Sequence, residues 1–264
     1  MIAIIGAGKM GEALLAGLLA KGHTPEDVLV TEPRAEHARE LRGRYGIETV
    51  PAQDAAKRAD TLLLALKPQD MLALLDDISP HLGREHLVIS VAAGLTTVVL
   101  ESHLHPGVPV VRAMPNTPAL MGRGMTAVSG GAHTEAAHLD RAEELLGAVG
   151  EVLRVGEQHM DTVTAISGSG PAYFYFIAET MIEAGVAMGM PRVTAQQLVG
   201  QTMTGAAAML DGSGEHPVVL REAVTSPGGT TAAALRELER HGVRTAFTDA
   251  IEAARDRSRA LSES

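Results

Sequence analysis

Three observations predict an α/β chain in which a doubly wound sheet is followed by an all-helical domain. A short apolar run, Met1 to Ile5, stops at Gly6-Ala7-Gly8-Lys9-Met10-Gly11, so that a G-x-G-x-x-G spacing stands between a strand pattern and a helix pattern. Strand-like and helix-like stretches then alternate through Val155, which implies a mainly parallel, Rossmann-like sheet with right-handed crossovers. From about Glu157 no strand-like run follows, and long Ala-rich, Met-containing segments take over. The expected division is a dinucleotide-binding domain over 1–155 and a helical domain over 156–264.

Each element has its own physical warrant. In the first turn, Gly6 permits the sharp exit from the strand, Gly8 lets a pyrophosphate approach the backbone, and Gly11 lets the next helix pack closely on the sheet. The unpaired N–H groups and positive dipole end of that helix favour an anion. Val28-Leu29-Val30 is a second strand, and the turn after it, Thr31-Glu32-Pro33-Arg34, is where such folds meet the adenosine ribose. Glu32 suits a 2′-hydroxyl and Arg34 a 2′-phosphate, so the turn leaves NADPH and NADH both open; Glu32 predicts that NADH competes seriously. Glu32 can equally be read as a residue near the N-terminus of the helix expected over 35–45.

Thr61 to Leu66 is apolar throughout, as a strand covered on both faces should be, and Lys67-Pro68 ends it and starts a helix. Lys67 then lies at the carboxyl end of a strand, where ligands of open α/β sheets bind, although a solvated Lys fits the same place. Leu87 to Val91 and Pro109 to Met114 repeat the strand pattern around a helix-like stretch over 95–104. Beyond Glu157, helices are expected over 171–188, 191–210, 217–224, 230–241 and 244–262, the first three with Pro near their starts. The segments around Ile177 to Met188 and Ala206 to Leu210 leave so little polar face that burial against another subunit is expected.

Composition narrows the function classes. A net charge of −10 with no Lys/Arg cluster speaks against nucleic acid, and no apolar run reaches membrane-spanning length. The absence of cysteine excludes thiolate chemistry and disulfides, and it fits a cytoplasmic location, as does a first strand with no basic, cleavable leader before it. The histidines do not sit with carboxylates at metal-ligand spacing, so no metal site is expected.

Three further runs identify a family. Ala113-Met114-Pro115-Asn116-Thr117-Pro118, Ser167-Gly168-Ser169-Gly170-Pro171-Ala172-Tyr173 and Val224-Thr225-Ser226-Pro227-Gly228-Gly229-Thr230-Thr231, in this order after the glycine turn, resemble pyrroline-5-carboxylate reductase over nearly the whole chain. The resemblance implies an oxidoreductase of proline biosynthesis that transfers a hydride from NAD(P)H to the imine carbon of L-1-pyrroline-5-carboxylate. It also implies a helical domain that binds substrate and dimerises, and a homodimer that assembles further into a decamer. By motif position, Thr231 contacts the ring nitrogen, while Ser226, Gly228, Gly229 and Thr230 hold the carboxylate. Gly6, Gly8, Lys9, Met10 and Gly11 cradle the pyrophosphate, Ala65 and Lys67 line the cofactor channel, and Met114 to Asn116 lie beside the nicotinamide. Family members often carry a polar turn and an Asn before the third helix that favour a 2′-phosphate; Glu32 and Ala52-Gln53-Asp54 depart from that pattern.

The loop from Ser226 to Thr231 suits a carboxylate on its own chemistry, since its glycines can turn successive N–H groups into an anion-binding concavity and its hydroxyls add donors. The plainer reading is a helix-capping loop, with Thr230 as the cap. Two rival functions remain. A hydroxyacid dehydrogenase of similar build needs a lysine base in its helical half, but the lysines are Lys9, Lys21, Lys57 and Lys67. A non-catalytic nucleotide-binding protein would have no use for an intact 226–231 loop.

Overall fold

The computed structural model describes residues 1–262, which divide into two compact units. One comprises Met1–Ser169 together with the chain from Ala254 onward, and the other Gly170–Ala253.

The first unit is an eight-stranded sheet in the order β3-β2-β1-β4-β5-β6-β7-β8, with β1 (Ile2–Ile5), β2 (Val28–Thr31), β3 (Glu48–Thr49), β4 (Thr61–Leu64), β5 (Leu87–Ser90), β6 (Val110–Met114), β7 (Gly124–Gly130) and β8 (Gly150–Arg154). All pairings are parallel except β6 with β7. Strand order reverses at β1, between β2 and β4, and it is outside the carboxyl ends of strands at such a switch point that open α/β sheets bind ligands. All four residues of β1 and of β4 are buried because both sheet faces are covered: Ile2 and Ile4 join Leu14, Leu15 and Leu18 on one side, and Ala3 and Ile5 join Leu62, Leu64 and Met71 on the other. Each buried Ile, Leu or Met side chain contributes about 1.5–3 kcal/mol by leaving water, which is why the strands read as unbroken apolar runs. The helices of this unit are α1 (Lys9–Ala20), α2 (Ala35–Tyr45), α3 (Ala52–Arg58), α4 (Pro68–Ile78), α5 (Thr97–Ser102), α6 (Ala136–Leu146) and α7 (Met160–Val163). A π-helical turn over Thr164–Gly168 follows α7, closed by the Ser169 N–H donating to the Thr164 carbonyl (2.8 Å).

One charge is buried in this sheet. Arg112, in the middle of β6, donates from Nη1 to Glu157 Oε1 (2.8 Å), which also accepts from the Thr97 N–H (3.2 Å). The pair ties the strand to the segment entering α7.

The second unit contains helices α8 (Gly170–Ala187), α9 (Arg192–Gly212), α10 (Pro217–Ala223), α11 (Thr230–Arg240) and the first part of α12 (Val243–Ser262). Gly185 on α8 lies against Ala195 on α9, where a β-carbon would sit 3.3 Å from the Ala195 methyl. Among its described residues no strand occurs, in line with the absence of a period-two pattern. Its apolar residues remain largely uncovered: Phe174, Tyr175 and Phe176 are 61%, 65% and 67% exposed. Helix α12 then carries the chain back into the first unit, where the buried Ser258 hydroxyl donates to Asp161 Oδ1 (2.8 Å).

Candidate active site

The glycine turn is built by close packing. Gly6 has φ +94°, and its N–H donates to the Thr31 carbonyl (3.0 Å) at the end of β2. A β-carbon there would lie 2.7 Å from the Ala65 carbonyl oxygen, so Ala65 forms the wall of the turn, and its own N–H donates to the Ile5 carbonyl (2.8 Å). A β-carbon on Gly11 would fall inside the Gly6 carbonyl oxygen. Gly8 differs: a β-carbon would meet nothing within 4 Å. It is the N-cap of α1 with no side-chain capping bond, so the N–H groups of the first turn face an open, backbone-lined cradle. Two glycines are therefore required by the fold and the third leaves room for an anionic ligand, which is the fit a dinucleotide pyrophosphate needs. Lys9 is exposed at the helix start, whereas Met10 packs against the core, which leaves its backbone as the group available to a ligand. Lys67 is exposed as the N-cap of α4, again without a side-chain cap.

The turn after β2 holds an arrangement the sequence did not disclose. Glu32 and Arg34, which chemically favour different cofactors, bind each other: Arg34 Nε donates to Oε1 (2.8 Å), Nη2 to Oε2 (2.9 Å), and the Arg34 N–H to Oε1 (2.9 Å). The guanidinium's hydrogen bond holds the Glu32 carboxyl below the usual carboxylate range, and the same bond raises Arg34. His37, which sequence reasoning passed over, donates from Nε2 to the Ala7 carbonyl (2.8 Å) inside the glycine turn, with Glu40 Oε2 3.3 Å from Nδ1. The bond to Ala7 first, and Glu40 second, raise the imidazole above its ordinary value. Its only signal was a polar ring in the first turn of a helix beginning beside the ribose position.

Two motifs far apart in sequence are locked together. Asn116 Nδ2 donates to the Ser167 carbonyl (3.1 Å), and its Oδ1 accepts from the Met125 N–H (2.9 Å). A β-carbon on Gly168 would lie 2.6 Å from Met114 Cε. The Met-Pro-Asn stretch at the end of β6 is thus seated on the π-helical turn, a feature frequent at functional sites. Asn116 spends both ends of its amide on these two bonds, so its side chain is a structural tie.

In the second unit, the loop from Ser226 leads into α11. Gly228 has φ +68°, the Gly229 N–H donates to the Ser226 carbonyl (3.0 Å), and a β-carbon on Gly229 would collide with the Ser226 hydroxyl oxygen. The N-cap is Gly229, with no side-chain capping bond, so the expectation that Thr230 caps the helix is corrected: Thr230 and Thr231 are its first two residues. With the cap position filled by glycine, their hydroxyls are not used at the helix end, and Ser226, Gly228 and Thr230 are exposed while Thr231 and Gly229 are half-buried. The loop presents hydroxyl donors and a positive helix end, suited to a carboxylate.

The chain is similar to known proteins over both halves of its length. A family profile described as pyrroline-5-carboxylate reductase dimerisation covers residues 157–261, and one described as NADP oxidoreductase, coenzyme F420-dependent, covers 1–94. The chain is 44% identical to a pyrroline-5-carboxylate reductase of Corynebacterium melassecola, covering 98% of each, and 43% identical to one of Mycobacterium tuberculosis strain H37Rv, covering 98% of the chain and 96% of the relative. Among solved structures it is similar to a pyrroline-5-carboxylate reductase of Coxiella burnetii, with a TM-score of 0.95 at 35% identity over 100% of the chain and 98% of the other. It is also similar to the Plasmodium falciparum pyrroline carboxylate reductase with NADP bound, with a TM-score of 0.87 at 30% identity over 99% and 97%. By identity over its full length, the chain belongs to the pyrroline-5-carboxylate reductase family.

Proposed function

We infer that the chain reduces L-1-pyrroline-5-carboxylate to L-proline, the last step of proline biosynthesis, as an NAD(P)H-dependent imine reductase. The observation that carries this reading is the 226–231 loop, where exposed hydroxyls and an uncapped helix start stand ready for a carboxylate in a chain that also holds a pyrophosphate cradle. When bound, the dihydronicotinamide supplies the hydride for the imine carbon. The protein's own task is orientation and exclusion of water, since a protonated imine is a good acceptor and no strong base is needed. Ser226, Gly228, Gly229 and Thr230 hold the substrate carboxylate through hydroxyl and backbone donors. Thr231 donates a hydrogen bond to the ring nitrogen as it becomes an amine and fixes which face of the ring is presented. Gly6, Gly8, Lys9, Met10 and Gly11 hold the pyrophosphate, Glu32 and Arg34 border the ribose, Ala65 and Lys67 line the channel, and Met114 and Asn116 shape the nicotinamide end.

The reading assigns nucleotide binding to 1–155 and substrate binding and dimerisation to 156–264. The uncovered Phe174, Tyr175 and Phe176 support a homodimer, with a decamer as the next level of assembly, and a cytoplasmic location suits small soluble substrates. Nucleic acid and membranes are not partners in this reading. The test is oxidation of NADH and NADPH, in parallel, with pyrroline-5-carboxylate. Turnover with a 2-hydroxy acid and none with the imine would overturn it in favour of a hydroxyacid dehydrogenase; cofactor binding without any turnover would favour a non-catalytic protein.

A further inference from the structure

The pairing at the end of β2 carries an inference that rests on the nucleotide-site reading and sharpens it. An acid at this position ordinarily accepts hydrogen bonds from the ribose hydroxyls and turns away a 2′-phosphate. Here the Glu32 side chain is 3% exposed and both its oxygens are taken by Arg34, so it is turned inward and already satisfied. The Arg34 side chain is 65% exposed, and its Nη1 makes no hydrogen bond among the described residues. The place of this pair is fixed from both sides, because Thr31 accepts from Gly6 and His37 donates to Ala7, both within the glycine turn. A free Arg side chain must be ordered before it can bind. A carboxylate that grips Nε and Nη2 removes that cost and leaves the remaining edge of a planar fork for an incoming anion.

We propose that Glu32 is a positioning residue that holds Arg34 ready for a 2′-phosphate, so that the acid at the end of β2 favours NADPH over NADH. This reverses the direction that the sequence suggests for Glu32, which as a free acceptor would have favoured NADH. His37 stands beside the pair as a further positive group when protonated, faced by Glu32, Arg34 and Glu40.

The experiment is calorimetric titration of the full chain with 2′-phospho-ADP-ribose and with ADP-ribose, which reads the ribose site without any hydride transfer. In Arg34→Ala the preference for the 2′-phosphorylated fragment over ADP-ribose should fall by about tenfold or more. In Glu32→Ala the preference should fall several-fold in the same direction, and in Glu32→Gln, which keeps the shape and one acceptor, by less. A preference that rises in either Glu32 variant, as release of a repelling carboxylate requires, would overturn the proposal. So would an unmoved preference in Arg34→Ala or in both Glu32 variants. Failure of the wild-type chain to bind either fragment would overturn the nucleotide site itself, whereas an inactive chain that binds both as described would leave this proposal standing without the imine chemistry.

Discussion

The two glycine-containing loops proposed for cofactor and substrate are constructed in opposite ways. The 6–11 turn is enclosed by its own unit: Ala65 walls Gly6, Gly6 walls Gly11, β2 accepts a hydrogen bond from it and α2 donates one to it. The 226–231 loop closes on itself, Ser226 against Gly229, and leaves Ser226, Gly228 and Thr230 exposed. A loop held from several sides keeps its shape without ligand, while one held only by its own turn can be altered side chain by side chain at little cost to the fold. Variants in the first loop should therefore split into those that break the fold and those that block the ligand; variants in the second should act on catalysis alone.

The largest expected effect follows at Gly11→Ala, where the added carbon cannot coexist with the Gly6 carbonyl: stability should fall by roughly 3 kcal/mol, visible as a lowered thermal midpoint, and cofactor binding should go with it. Gly8→Ala is the contrasting control. Its carbon enters open space, so the midpoint should hold while affinity for ADP-ribose drops; a midpoint lowered as far as in Gly11→Ala would break the distinction.

In the second loop, Thr231→Val keeps the shape and removes one donor. A fall of about tenfold to a hundredfold in kcat/KM, or roughly 1.5–3 kcal/mol, is expected with cofactor affinity unchanged. Wild-type kinetics in that variant would remove Thr231 from the mechanism. Ser226→Ala should instead raise KM for the carboxylate substrate, by about 1 kcal/mol in binding, with kcat nearly constant.

The smallest effect concerns pH. His37 has a folded value raised first by the Ala7 carbonyl and then by Glu40, so its contribution to stability is full below its unfolded value of 6.5 and disappears as pH rises through the folded value. The difference in thermal midpoint between the wild type and His37→Ala should shrink as pH increases across that window. A difference that is constant with pH would show that the ring acts through its neutral N–H alone.

These outcomes bear on what could be read in advance. The cores of β1, β2, β4, β5 and β6, the glycine turn and the long helices were legible because each is local: an apolar run, a spacing, a Pro at a helix start. β7 was not, since Gly-Met-Thr-Ala-Val-Ser-Gly has little bulk and its antiparallel place beside β6 depends on long-range pairing. Arg112 showed itself as a charge in a strand, but its partner Glu157 lies forty-five residues on. Likewise Met114 and Gly168, and Asn116 and Ser167, appeared as parts of two separate motifs, and only the fold brings them into contact. Glu32 and Arg34 were visible as individual charges; that each cancels the other's freedom is a property of side-chain geometry, which spacing does not encode.

The hydroxyl of Ser258 on Asp161 has a consequence for how this chain can be cut. Because α12 ends in the unit where β1 begins, the stretch 170–253 is an insertion within its parent rather than an appendage to it. A fragment ending at residue 155 would lack both Asp161 and Ser258 and so forfeit a contact that the parent unit makes.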